Sequence, residues 1–467
     1  IMKKMRKIFA VLLTLAMVLA MSITAFADGN APSDADTATI TVTGIEDGAT
    51  VKAYRIVEPQ YNGNGLYGYK VVAPYSIADT TNFVPTFAEI TTIAKQVSGK
   101  AIDLTGNETN GYSAKVGAGE YIVIIESTNY TYNPVVVSAA YANANNKATL
   151  ANGTISATGS WTLKDGKAAA KSSKVEINKT VSQPDAAVGD KVDYTITGTI
   201  PSYGAQFENP VYKIKDTITN AKYASDITVT IGGKAAVADT DYTITGGTAS
   251  DNGFEITFTN VGKYYDKSES DRAVVVTYKA EILASAISTN PATNTAKLTY
   301  SNKPNETKDA TEKKTYTYTF ELDDEFTKVD ENGDALDNCT FTLTNTVTKK
   351  VYTCTTEKDK NGKAKIHFEG LDAGTYELVE TVAKEGYSIN NTKYTVIITP
   401  EYNNDGTLKN KTITIDGKEQ KVEVKNTKLS SLPSTGGIGT TIFTIAGCLI
   451  MVAAAGLFFA SRKRTNK

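Results

Sequence analysis

From residue 28 onward the chain alternates apolar and polar positions in short runs separated by Gly, Asn and Asp turns. Thr39-Ile40-Thr41-Val42-Thr43, Tyr194-Thr195-Ile196-Thr197 and Lys411-Thr412-Ile413-Thr414-Ile415 are examples. A period of two sends successive side chains to opposite faces of a strand, and Thr, Val, Ile and 26 Tyr suit a pleated, half-buried surface. Only Phe83 to Ser98 carries a spacing that predicts a short helix. About 400 residues of this pattern predict an all-β protein of two to four domains, most economically built as sandwiches.

Shifts toward Lys, Ser and Asn set the expected boundaries. A first domain runs over 28–163, and Lys164 to Ser173 reads as a connector. A second domain occupies 174–302, followed by a polar stretch from Lys303 to Lys314. A third covers 315–428, and Leu429 to Ser431 forms a last link.

The two ends have another character. Lys3, Lys4, Arg6 and Lys7 precede an apolar run from Ile8 to Met21, and Ala25-Phe26-Ala27 follows. A basic start, a short apolar middle and small residues before the cut make 1–27 an expected export signal. At the other end Leu432-Pro433-Ser434-Thr435-Gly436 stands before an apolar stretch, Ile438 to Ala460, and the basic Arg462-Lys463-Arg464. That stretch is long enough for a bilayer, and the cations would hold its end on the cytoplasmic side. The arrangement resembles the LPxTG sorting signal of Gram-positive wall proteins. The resemblance implies a sortase whose cysteine attacks the Thr435 carbonyl, cleaves before Gly436 and passes the acyl group to an amine. The expected location is therefore the cell wall, reached through a transiently membrane-bound precursor.

Eight of the 49 Lys and Arg lie in these ends and none of the 51 Asp and Glu, which leaves −10 between them. That balance argues against nucleic acid or an anionic membrane as partner. Of three cysteines, Cys448 falls in the apolar stretch, and none occurs from Asp28 to Asn338. Cys339 and Cys354 flank an expected hairpin, where they could face each other as one disulfide or stand as two reduced core thiols. Without cysteine the first domain has no thioester. His367 is the only histidine, so neither a multi-His metal site nor a His-based triad can be assembled, and no cofactor is expected. Asp266-Lys267-Ser268-Glu269-Ser270 spells a metal-adhesion motif but follows Lys263-Tyr264-Tyr265 rather than an apolar strand, and reads as a charged loop.

Alternation also places polar groups where apolar ones belong. Phe326 and Lys328 share a face of an opening strand; Val422, Val424 and Asn426 share one of a closing strand; Leu378 and Glu380 fall together. An unpaired charge on such a face is costly. In a dry site the lysine loses its proton and the acid gains one. The neutral Lys328 amine can then attack the Asn426 carboxamide, polarised by Glu380, and expel ammonia. These residues, with Tyr376-Glu377-Leu378-Val379-Glu380-Thr381, resemble the Cna B-type, SpaA-like domains of Gram-positive pilins. Ala383-Lys384-Glu385 stand where that family usually has a proline before Gly386-Tyr387.

Val175, Ile177 and Lys179 likewise share a face, and Asn294 lies in a later alternating strand. Residues 174–302 look like the D2 domain of fimbrial isopeptide-forming proteins. The likeness implies Lys179 as nucleophile, Asn294 as electrophile and Asp216 as acid. Lys174 is a rival nucleophile on the opposite face, and Glu208 and Asp226 are rival acids. No such triad stands out in the first domain.

Together these resemblances imply tandem immunoglobulin-like, Cna-type sandwiches in a linear array: the shaft subunit of a covalent pilus. Shaft pilins present an acceptor lysine between first and second domains. Lys167, Lys171 and Lys174 are the candidates, with Lys171 favoured by its small neighbours, although the Tyr-Pro-Lys motif is missing. Implied partners are pilin-type and housekeeping sortases, further copies of the chain, accessory pilins and peptidoglycan. The rival readings are a monomeric wall-anchored adhesin and an accessory or base pilin. A wall-bound hydrolase would need paired acids in an open cleft, whereas these acids fall on core faces beside Lys and Asn.

Overall fold

The computed structural model describes residues 32–62, 65–142, 150, 161–204, 207–303, 306–310, 312–429 and 438–464. The expected export signal and Leu432 to Gly436 lie outside them. The chain divides into two compact units, the first formed by 1–320 with 370–372 and 401–409, the second by 321–369, 373–400 and 410–467.

The first unit holds two bodies of sheet. In the first body a nine-stranded sheet curls around two apolar cores. One is built on Ile40, Val42, Tyr121 and Val123, the other on Ile56, Tyr69, Phe83, Ile93 and Ile122. The single helix expected here spans Phe87–Gln96, where Thr86 and Glu89 form a reciprocal capping box.

In the second body two six-stranded sheets face each other across a continuous core. One runs in the order Ile177–Val181, Lys191–Thr199, Ala273–Ile282, Thr228–Ile231, Lys234–Ala235, with Ala221–Tyr223 joined to the third of these. The other runs Tyr242–Gly246, Gly253–Phe258, Tyr212–Thr219, Ala292–Lys303, Glu306–Asp309, with Lys313–Thr317 also on the fourth.

Both expected connectors are folded. Within 164–173, Gly166–Ala169 pairs in parallel with Ala38–Thr43, and Ser172–Lys174 pairs with Tyr130–Tyr132. Gly166 lets its strand also pass close to Val135–Ala142, since a Cβ there would lie 2.2 Å from the Ser138 carbonyl oxygen. The polar stretch after Lys303 supplies Glu306–Asp309 and Lys313–Thr317, both paired with Ala292–Lys303. Edge strands keep one face in water and so carry linker-like composition.

In the second unit a four-stranded sheet contains Phe326–Asp330 paired in parallel with Val422–Asn426. A five-stranded sheet contains Thr340–Asn345 between Val351–Thr355 and Gly374–Val382. Of the two readings of Cys339 and Cys354, register does not set the pair face to face. Cys354 stands opposite Phe341, while the Cys339 carbonyl accepts from the Thr356 N–H and the Cys339 N–H donates to Thr356 Oγ1. Both thiols are free, Cys339 fully buried. Ile438–Arg464 is a separate helix whose segment Ile442–Phe459, of mean hydropathy 2.4, is long and apolar enough to cross a membrane.

One acid in the first body has no cationic partner. Glu120 is 5% exposed, its Oε2 makes no hydrogen bond, and burial pushes its pKa up to about 8. The unfolded chain releases this proton in the ordinary carboxyl range, while the native fold retains it. Stability should therefore fall as pH rises from about 4.5 to 8, by at most about 1.4 kcal/mol per unit, and level off above. Comparing thermal unfolding of wild type and Glu120→Gln across that range should show the slope flattened in the variant.

Candidate functional site

Alternation along Ile177–Val181 buries Val175, Ile177 and Lys179 together, as the sequence predicts. Lys174 points the other way and ion-pairs with Glu176 at 2.6 Å. Lys179 Nζ lies 2.5 Å from Asp216 Oδ2, with neither side chain exposed. Asp216 projects from Tyr212–Thr219 in the opposite sheet; Asn294 sits on the neighbouring strand, opposite Ile218 and so diagonal to Asp216. The rival acids are exposed, and Glu208 pairs with Lys95.

Two tyrosines that the sequence reading passed over complete this cluster. Tyr278 accepts hydrogen bonds from Lys179 Nζ and Asn294 Nδ2, each at 2.7 Å, and donates to Asp216 Oδ1 at 2.9 Å. Tyr223 donates to the same oxygen at 2.8 Å. The Lys179 amine also stands 5.4 and 5.2 Å from the ring centres of Tyr194 and Tyr278. Burial lowers the lysine pKa against the pull of Asp216. Burial raises the Asp216 pKa against the stabilising lysine and tyrosines. Both directions favour the neutral pair, –NH2 beside –COOH, which is the form able to react. Asn294 Oδ1 makes no hydrogen bond. A bare carboxamide oxygen is where a protonated acid would polarise the carbonyl.

The second unit uses another geometry. Lys328 and Asn426 lie on adjacent parallel strands, where Lys328 is opposite Val424 and Asp330 opposite Asn426. The two side chains are thus diagonal neighbours on one buried face. Glu380 comes from the facing sheet, 3.9 Å from Lys328 Nζ, and its Oε1 accepts from Asn426 Nδ2 at 2.8 Å. The amine donates to the Val424 carbonyl at 3.0 Å. Burial lowers the Lys328 pKa, opposed by Glu380. Asn426 Oδ1, like its counterpart in the first unit, is unpartnered.

Asn390, also passed over, fixes Glu380 through its backbone N–H, 2.8 Å from Oε2, while its side chain donates to the Lys425 carbonyl at 3.0 Å. The loop without the usual proline is held by Gly386 at φ 84°, by the Lys384–Asp337 ion pair and by the Leu429 N–H donating to the Gly386 carbonyl. No sequence period could reveal Tyr278 or Asn390. An inward tyrosine on a strand reads as core, and Asn390 acts through its backbone.

Of the other candidates, Lys171 is exposed between two short strands, its carbonyl accepting from the Asn133 N–H at 3.1 Å. Ser268 caps the short Glu269–Arg272 helix through the Asp271 N–H. Among the described residues no group of three or more His, Cys, Asp or Glu could hold a metal ion.

Three family models match this chain: a T6 antigen Ig-like domain over 35–172, a SpaA prealbumin-like fold domain over 323–430, and an LPXTG cell wall anchor motif over 424–467. The trypsin-resistant surface T6 protein of Streptococcus pyogenes serotype M6 is 28% identical, over 93% of this chain and 96% of that protein. Fimbrial subunit type 2 of Actinomyces naeslundii is 27% identical, over 67% and 64%. Among solved structures, the T6 backbone pilin of serotype M6 Streptococcus pyogenes has a TM-score of 0.65 at 23% identity, covering 86% of this chain and all of that one. The full-length major pilin SpaD of Corynebacterium diphtheriae has 0.51 at 17%, covering 85% and 98%. At such identity the two structures speak for the fold, a modular array of immunoglobulin-like domains. The SpaA and anchor models, the T6 relative and the apolar helix beyond the anchor motif together support a sortase-assembled backbone pilin held at the Gram-positive cell wall.

Proposed function

We propose that this pilus subunit is the repeating unit of the shaft and that two of its domains lock themselves with a single internal amide each. Lys179 attacks Asn294 with Asp216 as the acid, and Lys328 attacks Asn426 with Glu380. Copies are then joined from Thr435 to Lys171 by a pilin-type sortase, and a housekeeping sortase fixes the base of the fibre to peptidoglycan. The observation that carries this reading is the pair of dry Lys–acid–Asn clusters, each linking an early strand of its sandwich to a late one. Left unreacted, each cluster keeps a basic and an acidic group from water at a cost that its few hydrogen bonds offset poorly. An amide removes the charge problem.

The closed loops, 179–294 and 328–426, would each restrict the unfolded chain by on the order of 4–5 kcal/mol, taking the loop-closure arithmetic of disulfides. Lys171 suits the acceptor role because it is exposed at a strand break with no ion pair among the described residues. Hydrogen bonding to Glu176 raises the pKa of Lys174, which makes that amine the poorer nucleophile.

Intact mass of the mature segment 28–431 should fall short of the sequence mass by two molecules of ammonia, about 34 Da, since each amide expels one. Glu380→Ala should retain one of the two and unfold at lower temperature; a full-mass wild type would sink the self-locking reading. In wall extracts of the producing bacterium, denaturing gels should display a high-mass ladder that Lys171→Ala reduces to monomer. A ladder untouched by this change would move the acceptor to another lysine, and no ladder in wild type would leave a monomeric surface protein.

A further inference from the structure

The two clusters differ in one respect that strand geometry does not require. Around Lys179 a single hydroxyl touches all three participants. The Tyr278 oxygen lies 2.7 Å from the attacking nitrogen, 2.7 Å from the departing one and 2.9 Å from the acid. Around Lys328, among the described residues, no hydroxyl bonds to the lysine or the asparagine. The lysine is held by the Val424 carbonyl and the asparagine amide by Glu380 itself. In the second unit the acid thus reaches the leaving group directly. In the first, Asp216 contacts the amine and the two tyrosines, and its way to Asn294 passes through Tyr278.

We propose that Tyr278 is a catalytic residue for the Lys179–Asn294 bond, carrying the proton that the attacking amine loses to the amide nitrogen that leaves. This role rests on the self-locking reading above. As the Nζ–Cγ bond forms, Nζ gives up one hydrogen to the phenolic oxygen. The Cγ–Nδ2 bond breaks with its electron pair on nitrogen, and the phenol delivers a proton there. The products are one secondary amide and one ammonia; Tyr278 and Asp216 end as they began, with no oxidant or reductant involved. Burial holds the phenol proton far more firmly than usual, so Tyr278 passes a proton on in exchange for one received. The lysine nitrogen also sits 5.2 Å from the Tyr278 ring centre, so the same side chain places the nucleophile.

Tyr223 supplies the control. It too is a buried tyrosine donating to Asp216 Oδ1, but it bonds neither reacting nitrogen. The test uses the full chain. After a pulse of synthesis, tryptic digestion and mass spectrometry follow the Lys179–Asn294 cross-linked peptide against the Lys328–Asn426 one from the same molecules. Tyr278→Phe, which keeps the ring and removes the relay, should slow the first peptide by at least about tenfold, the low side of what proton transfer contributes, and leave the second unchanged. Tyr223→Phe should slow the first peptide far less. Equal rates in Tyr278→Phe and wild type would overturn the role of Tyr278 while the self-locking reading stands. Equal slowing in the two tyrosine variants, or loss of both peptides in Tyr278→Phe, would reduce it to packing and overturn the proposal. Absence of both peptides from wild type would remove the self-locking reading itself and the proposal with it.

Discussion

The molecule turns on what happens to an amine denied water. An ammonium group held in an apolar core with one acid has lost its hydration and regained only part of it, so burial works against its charge. Around Lys179 burial drives both shifts in that direction, and at Lys328 it lowers the lysine pKa in the same sense. A neutral amine is a nucleophile by circumstance, and each cluster holds a carboxamide with a bare carbonyl oxygen, bonded to the acid itself at Asn426 and to Tyr278 at Asn294. Everything proposed for this pilin, from cysteine-poor stability to load bearing, descends from that desolvation.

The two clusters reach similar chemistry by different routes through the sheets. In the first unit the lysine faces the acid and the asparagine across the sandwich, so a bond there would staple one sheet to the other. In the second unit lysine and asparagine are neighbours in one sheet and the acid reaches over from the opposite sheet. The first arrangement leaves a gap between acid and leaving group, and Tyr278 bridges it. The second leaves none, and the carboxyl is instead oriented by the Asn390 backbone.

Much of this was legible in the chain because a strand has a period of two. Polar Lys179, Lys328, Glu380 and Asn426 fell on apolar faces by counting alone, and exposed Lys174 fell opposite. The choice of Asp216 over Asp226 and Glu208 needed a resemblance, since no count relates separate strands. The tyrosines were hidden because inward tyrosine is ordinary in a core rich in it. Composition misled at the connectors, where solvent-facing edge strands look like linkers. Sequence left open whether Cys339 and Cys354 face each other because that turns on register, which a hairpin tip guessed from sequence fixes no better than a residue or two.

Consider last the parallel pairing of Phe326–Asp330 with Val422–Asn426. A pull on the two ends of this unit loads the first and final strands along their lengths, so their ladder must fail all at once instead of rung by rung. With the proposed amides in place, residues 180–293 and 329–425 would lie outside the path of the force altogether. Played out at ~3.3–3.6 Å per residue, those roughly 210 residues would add on the order of 700 Å of slack to every subunit. A fibre of such links would hold a cell at fixed distance from its surface, with length that neither creeps nor needs to recoil.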